Sequence, residues 1–587
     1  MASERIEPFL VTILARRFEA ITRDMTNTLL RTGRSGVLAV ARDFSSSILT
    51  GDSRQLMVEE GLPLHLVTSE FIPKAVLDFF DDIAPGDCFM NNCPYTGNTH
   101  HADVTVSVPV FYRGELLFWT MSRAHQADIG APIPTTYLPY AKDIYEEGLH
   151  FPCVRVQRNY KDLADIIRMC RMKIRVPEQW YGDYLAQIGA VRIGERRILE
   201  LCGKYGAQML KAFVEQWMDY GERRAVEEIG KLPRVTLEGE TRHDPLSFAP
   251  DGIPVKVKVA IDPDEGYITV DLTDNPDNYP GGMNLSVATA MAGAYIGVLN
   301  NLDPTVPHNA GCFKRIRVKL REGCAVWIPK FPVGTSVATT NLCDRLINAV
   351  QSAFARIGPP YGLAEGSPGQ APSVSVISGT DWRRADAPYV NQLILGFGGG
   401  PAVHGHDGWL TYALPVTGGV LYCDSVELDE QRFPILFDRL EIVPDHLGSG
   451  RWDGAPGVLT VYGPRRDPMV AAYVTDGTRF PPRGVAGGLP GGPGGAWKIG
   501  EGENEEELPL ISAEVIRPGE KLVSRSPGGG GYGNPLERDP ELVREKVREG
   551  WITVERAREV YGVVLDTRPE TFAVDCEATD RERRGRA

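Results

Sequence analysis

Ten histidines are spread over 587 residues, yet His100, His101, His125 and His150 fall within less than a tenth of the chain. Two short units carry most of them: His100-His-Ala-Asp103 and His125-Gln-Ala-Asp128. A divalent ion needs ligands that converge from separate segments, and imidazole with carboxylate is a common donor set for one. Mixed His/Asp ligation suits Zn, Mn or Fe(II) better than Mg or Ca. Successive side chains of an extended segment point apart, so His100 and His101 cannot share a face. The three-residue step from His100 to Asp103 converges in a turn and favours His100 over its neighbour. Asp43, in Arg42-Asp-Phe-Ser45, and His65 are further candidates, as ligands or as partners of ligands, and Asp128 is a lesser one. The plainer reading of all these residues is hydrogen-bonded loop histidines and capping aspartates.

The elements around these units must bring them together. Val104, Val106 and Val108 alternate with polar or small residues, Arg113-Gly114 offers a turn, and Leu116 to Trp119 leads back. That pattern predicts a hairpin, which would return the second unit to the sheet end that holds the first. Upstream, Leu10, Ile13, Leu14, Phe18, Ile21, Met25 and Leu29 recur at three- and four-residue steps, predicting an amphipathic helix over 8–30. Residues 160–230 switch to helical periodicity, with Pro177 suited to a first helical turn. Strands return after 250, with Asp262 to Gly266 as a turn, and short helices are expected at 285–302 and 341–357. Asp539-Pro540-Glu541 reads as a cap and helix start, and a second short helix is expected near Thr553. The sum is an α+β protein: a large interlocked β-rich unit, a helical block at about 160–230, and short C-terminal helices. Three regions are expected: 1–250 with the metal site and helical block, 251–535 mixed and β-rich, and 536–587 a helical tail.

Bulk properties narrow the function. The net charge of −14 argues against a nucleic-acid partner, which usually leaves a basic footprint. The basic run Arg581 to Arg586 reads as solvated surface or helix face. No basic-then-apolar leader opens the chain and no apolar run is long enough to span a bilayer, so a cytoplasmic protein without a membrane is expected. The ten cysteines form no CxxC pair and read as free thiols. Other catalytic templates fail, since GxSxG, HExxH and the GxxxxGK[S/T] phosphate loop are all missing. One GxGxxG occurs at Gly528–Gly533, but Asn534-Pro535 follows where a dinucleotide site needs a helix, so it reads as a structural loop. Gly396–Gly400 with His404, His406 and Asp407 offers a second polar site, with a flexible loop as the plainer reading.

Asn91-Asn-Cys-Pro-Tyr-Thr-Gly-Asn-Thr-His100-His-Ala-Asp103 resembles the hydantoinase B family, whose pattern is close to Asn-Asp-Pro-Tyr-x-Gly-Gly-Thr-His-x-x-Asp. The family takes in second subunits of N-methylhydantoinases, the C-terminal half of 5-oxoprolinase, caprolactamase, and subunits of acetone and acetophenone carboxylases. Ala124-His125-Gln-Ala-Asp128-Ile-Gly130, Asp143-Ile-Tyr-Glu-Glu147-Gly-Leu149 and Ser526 to Pro535 resemble further blocks, and the likeness runs over about 5–565. The sequence departs from the pattern at Asn92-Cys93, where an acidic residue is usual, and at Asn98, where Gly is usual.

The resemblance implies His100, Asp103 and His125 as metal ligands, with Asp43 and Asp183 matching lesser family positions. It implies a Zn, Mn or Fe cofactor, and a hetero-oligomer with a hydantoinase A-type subunit that binds ATP. The implied activity is opening of a cyclic amide of hydantoin, lactam or oxoproline type. A ketone carboxylase subunit of acetone or acetophenone type is the alternative, and a non-catalytic scaffold subunit is the third reading.

Overall fold

The computed structural model describes residues 6–59, 61–327, 330–500, 505–566, 568 and 571–586. A seven-stranded sheet organises the N-terminal part. Its strands are β1 (Phe44–Thr50), β2 (Gln55–Glu59), β3 (Cys88–Asn91), β4 (Asp103–Tyr112), β5 (Glu115–His125), β6 (Val154–Arg158) and β7 (Lys161–Asp162), in the order β2-β1-β5-β4-β3-β6-β7. The predicted hairpin is β4–β5, turning at Arg113-Gly114, both with positive φ. Its register sets Asp103 directly opposite His125 and Val104 opposite Ala124. Strand β1 pairs on the other side of β5, Phe44 opposite Ala124, and the Asp43 carbonyl accepts from the His125 N–H. Antiparallel pairing therefore brings the start of β1, the start of β4 and the end of β5 to one edge.

Both faces of this sheet are covered. Helix α1 (Pro8–Thr32) buries Leu14, Phe18, Ile21, Met25 and Leu29, the stripe that the three-four spacing marks out. Ile13 departs from the expectation: at 42% exposed it lies on the outer face. Val104, Val106, Val108 and Val110 join the same core, and Phe18 stacks on Phe213 at 5.3 Å and leans on Phe118 at 5.4 Å. Truncating a fully buried phenylalanine such as Phe18 to Ala costs about 3–5 kcal/mol. The opposite face carries Leu49, Ile72, Val76, Phe89, Trp119 and Met121.

The helical block is α2 (Ala164–Lys173), α3 (Pro177–Tyr205) and α4 (Ala207–Ile229). The continuous 177–230 periodicity is broken at Gly206, whose φ of 78° no helical residue adopts. A four-stranded sheet follows, built from β8 (Val235–His243), β9 (Ile253–Asp262), β10 (Tyr267–Asp271) and β11 (Ile316–Lys319). Since β8 pairs with β9 along nine residue pairs, this sheet runs across position 250. Helices α5 (Val287–Leu299) and α6 (Asn341–Ala353) form where expected. Two five-stranded sheets occupy 369–525, and α7 (Pro540–Arg548), α8 (Val554–Glu559) and α9 (Cys576–Arg584) close the chain. Asp539 and Thr553 cap α7 and α8 as their types predict.

The Gly528–Gly533 run is a backbone-packing seam. A Cβ on Gly529 would lie 1.9 Å from the Gly400 carbonyl oxygen, and one on Gly528 1.9 Å from that of His446. All ten cysteines are free thiols, and no helix among the described residues is long and apolar enough to cross a membrane.

Candidate metal centre

The sheet edge gathers three donors. His100 Nε2 lies 3.0 Å from Asp103 Oδ1, His125 Nδ1 lies 3.1 Å from the same oxygen, and the two ring nitrogens are 3.3 Å apart. A metal sits about 2.0–2.2 Å from nitrogen and oxygen ligands, which spaces those ligands by roughly 3.0 Å at right angles and roughly 3.5 Å at tetrahedral angles. The observed triangle falls in that window, and its residues are at most 2% exposed. The far side of each ring decides which nitrogen is bare. His100 Nδ1 is 2.8 Å from the Ser336 carbonyl, a pure acceptor, so Nδ1 carries the hydrogen and Nε2 faces inward without one in the neutral ring. His125 Nε2 is 3.1 Å from Thr136 Oγ1; when it donates there, Nδ1 is bare as well. Two imidazole lone pairs then confront a buried carboxylate, an arrangement that only a cation or a proton relieves. The donor set thus fits a divalent ion.

The electrostatics carry the same signature. Burial alone would lower the His100 pKa, but contact with Asp103 overrides it and the value is raised. Burial pushes Asp103 up, and the surrounding histidines outweigh that and hold it well below the usual carboxylate range. Asp43 is pushed up by burial, which His125 and His65 only partly offset.

A scaffold of buried polar groups fixes these ligands. Thr99 Oγ1 donates to Asp103 Oδ2 at 2.5 Å, and His65 Nε2 is 3.2 Å from the same oxygen. Asn98 Nδ2 donates to the His100 carbonyl at 2.8 Å and the Asp103 carbonyl at 2.6 Å, while its Oδ1 accepts from Thr105 at 2.8 Å. Asn92 ties His101 and Leu149 carbonyls at 2.8 Å each and accepts from Phe151 N–H at 2.6 Å. The two departures from the family pattern are therefore staples of the ligand turn. Fully buried Arg123 donates to Thr105 and to the His65 carbonyl at 2.9 Å each, and burial pulls its pKa down to about 10. Tyr137 stacks on His125 with centroids 5.7 Å apart and roofs the site.

The other sequence candidates fall as follows. Asp43 lies beside the triangle, its Oδ1 3.9 Å from His65 Nε2, and lines the same small cavity as Asp103, His125 and Tyr137. His101 turns away from His100 and meets Glu147 Oε2 at 2.7 Å. Asp128 and Asp183 do not join the cluster. Asp128 accepts from Gly130 N–H and from the Arg175 backbone and guanidinium, at 2.6–3.0 Å. Asp183 accepts from Arg34 and Ser35 N–H at 2.6 and 3.1 Å, tying α3 to the turn after α1. Ser336 and Thr136, the partners of the two outward ring nitrogens, carry no mark in the sequence, and Glu147 stands there only within a family block, without a role. Glu147 Oε1 accepts from the N–H groups of Thr335 and Ser336 at 2.6 and 2.7 Å, so it holds the turn whose carbonyl orients His100.

The fold is that of a mixed α+β protein whose main sheet ends in a buried cluster of two histidines and one aspartate with the spacing to hold a metal ion. The chain belongs to the hydantoinase B/oxoprolinase family, whose sequence profile matches residues 7–535. It is 29% identical to caprolactamase subunit beta of Pseudomonas jessenii, covering 96% of this chain and 97% of that subunit. It is 26% identical to the acetophenone carboxylase delta subunit of Aromatoleum aromaticum, covering 99% of this chain and 89% of that one. The crystal structure of ATP-dependent caprolactamase from Pseudomonas jessenii superposes with a TM-score of 0.90 at 28% identity, over 99% of this chain and 100% of the matched chain.

Proposed function

We propose that this chain is the metal-holding subunit of a heteromeric, ATP-dependent enzyme that opens a cyclic amide. The observation that carries the reading is the triangle of His100 Nε2, Asp103 Oδ1 and His125 Nδ1, with sides of 3.0–3.3 Å. A Zn, Mn or Fe ion bound there supplies Lewis acidity and lowers the pKa of water toward neutrality. An amide carbonyl resists water, and a phosphoryl group from ATP on its oxygen makes the carbon electrophilic. No GxxxxGK[S/T] loop is present in this sequence, and a hydantoinase A-type partner is assigned the nucleotide. The net reaction takes one cyclic amide, one ATP and two waters to the ring-opened amino acid, ADP and phosphate. In this chain, Ser336 and Thr136 orient the two imidazoles, His65 and Thr99 hold Asp103, and the Tyr137 ring shields the site from bulk water.

The likeness to an acetophenone carboxylase subunit supports a second reading, carboxylation of an ATP-activated ketone by bicarbonate at the same ligands. Metal content by mass spectrometry tests the shared premise. Near-stoichiometric Zn, Mn or Fe is expected in the unaltered chain, and none in His100→Ala or His125→Ala. Turnover of caprolactam, hydantoin and 5-oxoproline by the two-subunit complex then separates the readings. Ring opening without bicarbonate supports the hydrolase, and strict bicarbonate dependence with a ketone supports the carboxylase.

A further inference from the structure

Arg42 immediately precedes Asp43 and holds a φ of 59°, a left-handed conformation that is unusual for arginine. Its guanidinium carbon stands 3.8 Å from the centroid of the Tyr422 ring, and no carboxylate pairs with it among the described residues. It lines a chamber of about 840 Å³ whose walls are otherwise largely apolar, with Phe44, Leu62, Ile296 and Leu299 among them. Among the described residues no Asp or Glu lines this chamber, although the chain carries 77 acidic residues and a net charge of −14. Thr26, only 6% exposed, also lines it and leaves its Oγ1 without a hydrogen-bond partner. Leu62 lines both this chamber and the small cavity of Asp43, Asp103 and His125, so the two are neighbours.

An unpaired, half-buried cation beside an apolar chamber is costly to maintain unless an anion arrives to meet it. Arginine is the residue suited to that anion when it is a phosphoryl group, because its planar fork matches two phosphate oxygens, and stacking on Tyr422 fixes the fork's orientation. The rest of the chamber calls for a hydrocarbon body. We infer that this chamber binds a phosphorylated carbonyl compound, with the phosphoryl group on Arg42 and the carbon skeleton against Phe44, Leu62 and Ile296. The inference rests on the proposed activity for the identity of the ligand, an amide phosphorylated on oxygen. It assigns a reason to the place of Arg42, next in sequence to Asp43, which lines the same small cavity as the proposed ligands Asp103 and His125.

Cyclohexyl phosphate is the stable probe, with inorganic phosphate and cyclohexanol as controls, titrated calorimetrically into the full chain. Cyclohexyl phosphate is expected to bind more tightly than phosphate, and cyclohexanol not to bind. Arg42→Ala is expected to weaken binding at least tenfold. Tyr422→Ala, which leaves the strained backbone of Arg42 untouched, is expected to weaken it severalfold, with the unfolding midpoint of each variant confirming a folded chain. Binding that survives both substitutions, or cyclohexanol binding as well as its phosphate ester, overturns the inference. So does an Arg42→Ala chain that keeps the phosphate ester but no longer assembles with the ATP-binding subunit, which would make Arg42 an interface residue. A complex that opens no cyclic amide while the chain still takes cyclohexyl phosphate through Arg42 refutes the activity and leaves the anion site standing.

Discussion

At the end of the first sheet, His100, Asp103 and His125 stand 3.0–3.3 Å apart with no Arg or Lys within ion-pair distance among the described residues. In the glycine-rich loop near Gly405, the same residue types are arranged in the opposite way. Asp407 accepts both Arg538 Nη groups at 2.7 and 2.8 Å, with Lys546 Nζ at 3.7 Å, and Asp453 lies 3.3 Å from Arg538 Nε. His404 packs on Trp452 with centroids 4.5 Å apart. In this second region every carboxylate is answered by a cation of the chain itself, so nothing further is called for. In the first, the donors face one another, and the missing positive charge must come from outside. Composition does not separate the two regions; the direction of the lone pairs does.

The largest effect that sharpens this contrast is loss of the metal. His100→Ala or Asp103→Ala is expected to abolish stoichiometric metal and to lower turnover of the complex by more than about 10³-fold, beyond the 10–100-fold typical of residues that only orient ligands. The chain should stay folded, and metal analysis beside circular dichroism checks both statements. If His404→Ala removed the metal instead, the assignment of the two regions would be reversed.

Next comes the capped region. Arg538 is 1% exposed, and Arg538→Ala would strand Asp453 and leave Asp407 with only the more distant Lys546. Breaking a buried pair by removing one partner costs about 3–5 kcal/mol. Chemical denaturation should show that loss while metal content stays at the unaltered level. A variant as stable as the parent would mean that water, not Arg538, satisfies these carboxylates.

A smaller effect is expected at Glu147, which acts through the turn that carries the Ser336 carbonyl. Glu147→Ala frees two backbone N–H groups and His101, and metal affinity should fall 10–100-fold, as for other residues that position ligands. Glu147→Gln keeps one acceptor and should recover part of that loss. Equal affinities for parent and Ala variant, in competition with a chelator, would remove Glu147 from the site.

These residues show what could be read in advance and what could not. The β4–β5 hairpin follows from valine alternation and a turn dipeptide, and that alone puts Asp103 and His125 opposite one another. The three-residue step from His100 to Asp103 is likewise local. The residues that complete the site are distant in the chain: Ser336 lies 236 positions from His100, and Glu147 bonds across 189 positions to Ser336. No periodicity or spacing reports such contacts. Asn92 and Asn98 were visible only as departures from a pattern, because a side chain's acceptors are invisible until the turn exists. The break at Gly206 escaped because residues on both sides keep helical periodicity, and the last helix, Cys576–Arg584, lies within the expected helical tail but its bounds were not marked, because its arginine-rich sequence buries only Thr579.

The smallest effect is a difference in pH response. In the metal-free chain, His100 has a raised pKa, so protons compete with a metal at and somewhat above pH 6.5. Metal affinity should therefore rise with pH through that range, by at most about tenfold per unit for a single competing proton, and level off above it. The capped region titrates lower. Burial pushes Asp453 up to about 6 despite Arg538. The folded chain then binds more protons than the unfolded chain between roughly pH 4 and 6, and stability falls as pH rises through that interval. Above about pH 6 its contribution is flat. Asp407 is held below its ordinary value, since Arg538 and Lys546 outweigh the burial that would raise it. Its contribution is present above about pH 4 and is lost only on acidification below that. Measured side by side from pH 6 to 8, metal affinity should climb while the capped region adds no slope to the unfolding free energy. An affinity that stays level over the same range would show that metal displaces no proton from His100 there, and the raised pKa of the metal-free site would be refuted.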